Sequence, residues 1–87
     1  MAIGRLTARS GGALGNRLRE VRTARGLTQA ELAELASVSR KTVNTVERGV
    51  FVPSVVLALK LARLLEQSVD DIFWLEPDEP DGTNGSS

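Results

Sequence analysis

The chain has 87 residues, with 11 Lys and Arg, 11 Asp and Glu, and neither cysteine nor histidine. One small domain with tails fits that length, and disulfide staples, Cys/His metal sites and imidazole acid–base chemistry are excluded. The neutral total hides a split: Met1–Arg63 carries every base against four acids, and Leu64–Ser87 carries the other seven acids and no base, which points to a polyanionic partner for the basic part.

Residues 1–11 mix Gly, Ser, Arg and Ala without periodicity and are expected to form a flexible arm. A first helix is expected from Ser10–Ala13 to Arg25, because Leu14, Leu18 and Val21 follow i, i+4, i+7 spacing. Gly26 then stands where a left-handed residue ends a helix. Thr28 and Glu31 form a capping box for a second helix, whose apolar face is read as Ala30, Leu32, Ala33, Leu35 and Ala36. Ser39 caps a third helix from Arg40 to about Arg48, ended by Gly49.

Ser54 caps a fourth helix, Val55 to Glu66, apolar on more than one side and so expected to be central or shared with another chain. Ser68 and Asp71 make a second capping box for a short fifth helix, "VDDIF". Phe73-Trp74-Leu75 either finishes that helix or forms a short C-terminal strand. Residues 76–87, "EPDEPDGTNGSS", lack apolar side chains and are expected to be a disordered acidic tail. The longest apolar run is interrupted by Ser54, Lys60 and Arg63, too short and charged to span a bilayer, and no secretory signal is legible. A soluble, cytoplasmic protein is expected.

Helices two and three with their short turn read as a helix-turn-helix. Arg40, Lys41, Asn44 and Thr45 lie on the outer face of the third helix. These are residue types that suit the major groove: Arg and Lys donate to guanine, Asn pairs with adenine, and Thr meets a thymine methyl. The start of helix two, with Gln29 beside it, suits a phosphate.

The run "RLREVRTARGLTQAELAELASVSRKTVNTVERG", continued by "VPSVVLALKLARLLEQSVDDIF", resembles the Cro/C1-type (XRE-family) DNA-binding domain of phage repressors and bacterial regulators. The similarity covers Leu14 to Leu75. It implies an all-α fold: a compact five-helix bundle of the lambda-repressor-like type, with residues 12–75 as the DNA-binding and dimerisation domain. It also implies that Gln29, Arg40, Lys41, Asn44, Thr45 and Arg48 contact DNA, and that Arg22 and Glu47 form an internal salt bridge. No cofactor or metal is implied.

The sequence departs from the family pattern in several places. Ser37 replaces a turn glycine, and Arg48 stands where Asn is usual. Val50 stands where Lys is common, Val56 where a polar residue is common, and Glu66-Gln67 precede the last helix in place of a glycine and an apolar residue. Val56, Phe73 and Trp74 are read as a homodimer contact. The resemblance implies a sequence-specific DNA-binding transcriptional regulator. Such a protein would read a near-palindromic operator as a homodimer, with repression by promoter occlusion as the simpler mechanism. An antitoxin-like interaction module that also binds DNA is the alternative, its acidic tail meeting a protein partner. No nucleophile–base constellation supports an enzyme.

Overall fold

The computed structural model describes residues 13–77; Arg5, Arg9, the N-terminal arm and all but the first two residues of the acidic tail lie outside them. The first element departs from the expected helix. Leu14–Asn16 is a strand, β1, and helix α1 runs only over Leu18–Ala24. Gly15 and Asn16 are poor helix formers. Asn16 also closes a local turn, its Oδ1 accepting from the Leu18 N–H at 2.9 Å. Its Nδ2 donates to the Val46 carbonyl at 3.1 Å, so one side chain ends the strand, begins the helix and holds a distant element.

The chain continues through α2, Gln29–Ala36, α3, Arg40–Glu47, α4, Val55–Leu65, and α5, Val69–Ile72, to a strand β2, Phe73–Leu75. The five expected helices are present, and the C-terminal ambiguity resolves as strand. Phe73 therefore leaves the helix in which "VDDIF" placed it. β1 and β2 pair antiparallel, Leu14 with Leu75, Gly15 with Trp74 and Asn16 with Phe73. Backbone bonds of 2.9 Å from Arg17 N to Ile72 O and from Glu76 N to Ala13 O close both ends of the ladder. A Cβ on Gly15 would collide with the Trp74 indole and the Glu76 carboxylate. Glycine is thus required where the ring crosses the strand. That ring is held by a 3.1 Å bond from Nε1 to Glu76 and by the Arg17 guanidinium 5.7 Å from its centroid.

Local chemistry sets most helix starts. Thr28 Oγ1 accepts from Glu31 N at 3.0 Å, and Glu31 Oε1 accepts from Thr28 N at 2.9 Å. Ser39 and Ser54 each accept a first-turn N–H at 3.0 Å. On α2, Leu32, Ala33 and Ala36 are buried while Ala30 and Leu35 are exposed. The expected five-residue face was too wide, since Ala30 and Leu35 lie roughly 110° to either side of the buried stripe at 100° per residue. The core joins these residues to Leu18, Val43, Val46, Leu61, Leu65, Ile72 and Phe73. Phe73, read from sequence as a dimer contact, is only 7% exposed. It fills the chain's own core because the strand pairing turns it inward, leaving Val56 and Trp74 as the exposed members of that set.

Among the described residues, two that are not glycine end helices in the left-handed region, Ser37 at φ 61° after α2 and Glu66 at φ 57° after α4. Each costs roughly 1–2 kcal/mol against a residue without Cβ, partly offset by glycine's greater flexibility when unfolded. Ser37→Gly is expected to stabilise the fold by about 1 kcal/mol and raise the thermal midpoint by about 4–8 °C. An unchanged or lower midpoint in a calorimetric scan would show that the turn relaxes without cost.

No helix among the described residues is long and apolar enough to cross a membrane.

Candidate nucleic-acid interface

The helix-turn-helix is α2, the Ser37 turn and α3. Val43 and Val46, each 1% exposed, pin α3 to the core. With those two positions inward, the helical period carries Arg40, Lys41 and Asn44 outward. Arg40 and Lys41 are exposed, Asn44 and Thr45 half-buried, and Arg48 is exposed at the helix end. The Thr45 hydroxyl lies 2.9 Å from the Lys41 carbonyl and 3.1 Å from that of Thr42. With its proton spent on its own helix, Thr45 offers an approaching surface mainly a methyl group.

Beneath this face lies the pair expected from sequence. Arg22 Nε meets Glu47 Oε2 at 2.5 Å and Nη2 meets Oε1 at 3.2 Å, with side-chain exposures of 9% and 4%. Arg22 Nη1 also donates to the Leu27 carbonyl at 2.7 Å, so the guanidinium ties α1, the loop before α2 and the end of α3 together. Gln29 joins the same network, its Nε2 donating to Glu47 Oε1 at 3.0 Å. The amide expected to meet DNA is therefore held from below, with its carbonyl oxygen uncommitted among the described residues.

Three shallow concavities meet at Gln29. One is lined by the start of α2 together with Arg22 and Arg40. The second lies among Arg40, Lys41 and Asn44, and the third among Arg19, Arg22, Asn44, Glu47 and Arg48. The structure thus gathers Gln29, Arg40, Lys41, Asn44 and Arg48 on one side; Thr45 lies on the same helix but lines none of the three. Val56 lies elsewhere, on a groove of α4 with Leu59, Lys60 and Arg63.

The positive charges sort in the same way. Among the described residues, Arg17 lies over Trp74, Arg22 is paired with Glu47, Arg25 lies 3.4 Å from Glu66, and Lys60 donates to the Ala36 carbonyl at 3.2 Å. Arg19, Arg40, Lys41, Arg48 and Arg63 make no such contact within those residues, and all but Arg63 line the concavities around Gln29. Asn16 was missed by sequence reasoning; its signal, an Asn two residues before a helical leucine, is legible only once the strand before it is known.

Residues 13–74 match the family model described as a helix-turn-helix domain. The HTH-type transcriptional regulator YgzD of Bacillus subtilis is 41% identical over 61 residues, covering 70% of this chain and 92% of YgzD. Among solved structures, the restriction-modification controller protein C.AhdI from Aeromonas hydrophila superposes with a TM-score of 0.59 at 46% identity, covering 62% of this chain and 78% of that one. SinR, a master regulator for biofilm formation solved in complex with DNA, gives 0.59 at 31% identity, covering 62% and 87%.

Proposed function

The chain belongs to the helix-turn-helix family of DNA-binding transcriptional regulators, and on that premise we propose that it is a sequence-specific repressor, acting as a homodimer on a near-palindromic operator. The observation that carries this reading is the sorting of charge among the described residues: Arg19, Arg40, Lys41 and Arg48 converge with Asn44 around Gln29, while Arg17, Arg22, Arg25 and Lys60 are engaged within the fold and Arg63 alone stands apart on α4. α3 enters the major groove, where Arg40 and Lys41 meet guanine or adjacent phosphates and Asn44 meets adenine. Arg48 and the start of α2 hold the backbone. That SinR, a neighbour of like fold, was solved in complex with DNA supports DNA as the partner.

A single recognition helix offers few base contacts. Two, related by a two-fold axis, read half-sites about 34 Å apart on one side of the duplex. Support for pairing comes from exposed apolar side chains beyond α3: Val52, Val55, Val56 and Leu59 are all more than half exposed, and a contiguous apolar surface is what an interface requires. Bound over a promoter, such a dimer blocks polymerase without further machinery.

Selection of the purified protein on random duplexes, followed by sequencing, tests the reading. It is expected to return a near-palindrome bound by two chains, with affinity falling steeply as salt rises. A motif without dyad symmetry, bound by one chain, would overturn the dimer. Transcription from a promoter containing the site is expected to fall on addition of protein, and a rise would overturn repression.

A further inference from the structure

The concavity between α1 and α3 holds a cation that lies outside the helix-turn-helix. Arg19, on α1, lines it together with Arg48 at the far end of α3, and its floor is the Arg22–Glu47–Gln29 network. That floor carries one positive and one negative charge in contact, so it offers an anion little net attraction. The charge of this hollow therefore comes from Arg19 and Arg48, both exposed and neither within salt-bridge reach of a carboxylate among the described residues.

Helix α1 divides its bases between two sides. Arg17 at the start of the helix and Arg25 at its end share a different hollow with Glu20 and Gln67, and both are engaged, Arg25 with Glu66 and Arg17 with Trp74. Arg19 lies three residues before Arg22, the spacing that puts two side chains on one helical face, and that face turns toward Asn44 and Arg48. We propose that Arg19 and Arg48 together clasp one backbone phosphate of the DNA duplex, which extends the interface from the helix-turn-helix onto α1. The planar guanidinium fork suits a phosphate's paired oxygens. The contact carries no base information; it sets how deeply α3 sits in the groove. This assignment rests on the DNA-binding reading above.

The test compares wild type, Arg19→Gln and Arg19→Lys on the selected duplex and on a scrambled duplex of equal length, between about 50 and 200 mM salt. Arg19→Gln is expected to weaken binding several-fold on both duplexes alike and to reduce the magnitude of the log–log salt slope by less than the roughly 0.9 of a whole phosphate, since Arg48 still meets it. Arg19→Lys is expected to keep most of the slope, and all three proteins to share one thermal midpoint. A wild-type slope and affinity in Arg19→Gln would overturn the assignment alone, leaving DNA binding intact. A loss confined to the selected duplex would overturn it in favour of a base contact. Wild type that binds no duplex would overturn both this assignment and the reading beneath it.

Discussion

Replacing Glu47 with alanine is expected to lower the unfolding free energy by about 3–5 kcal/mol, as read by urea denaturation. The carboxylate is 4% exposed and holds a guanidinium that is 9% exposed. Removing it leaves the Arg22 charge where water reaches poorly, and among the described residues only the Leu27 carbonyl remains as a short partner. Gln29 loses its acceptor in the same step. For a domain this small the loss is a large part of total stability, at roughly 0.05–0.15 kcal/mol per residue, so the variant should be partly unfolded near body temperature. Arg22→Met combined with Glu47→Leu should recover much of that stability, since a buried ion pair replaced by apolar groups of similar volume is often neutral or better. A cost below about 1 kcal/mol for Glu47→Ala would place the pair with ordinary surface ion pairs.

The second large effect falls on recognition. Asn44→Ala and Arg40→Ala are each expected to leave folding nearly unchanged, because neither side chain supports the core. Each should erase about 1–3 kcal/mol of discrimination at one base pair of the selected site, a fall of roughly 5- to 150-fold in preference there. Lys41→Ala should instead weaken binding to matched and mismatched duplexes together, if its ammonium meets phosphate rather than a base. Competition titrations with singly substituted duplexes separate these outcomes. Discrimination retained at every position in both Asn44→Ala and Arg40→Ala would remove α3 as the reader.

Much of this was legible in the sequence because the signals are local. Capping boxes at Thr28 and Ser68, a cap at Ser39 and a left-handed Gly26 each depend on neighbours within four residues, whereas the turn at Ser37 was marked only by the family resemblance. The Arg22–Glu47 pair spans 25 residues, and only the family resemblance could supply it. What escaped was non-local. Leu14 fits the periodicity of α1, and nothing near it reveals that Phe73–Leu75 returns to pair with it. The same pairing turned Phe73 from an expected contact surface into core. Charge showed a similar limit: the sequence has an excess of bases before Arg63, but which of them are already engaged could be read only from their partners in space.

The most direct test of the central claim is a nuclear magnetic resonance titration of isotope-labelled protein with a short selected duplex. The largest shift changes are expected on Gln29, Arg40, Lys41, Asn44 and Arg48, with Arg19 among them, and they should fade as salt is raised. Changes centred instead on Val56, Leu59 and Arg63 of α4, with α3 undisturbed, would contradict it.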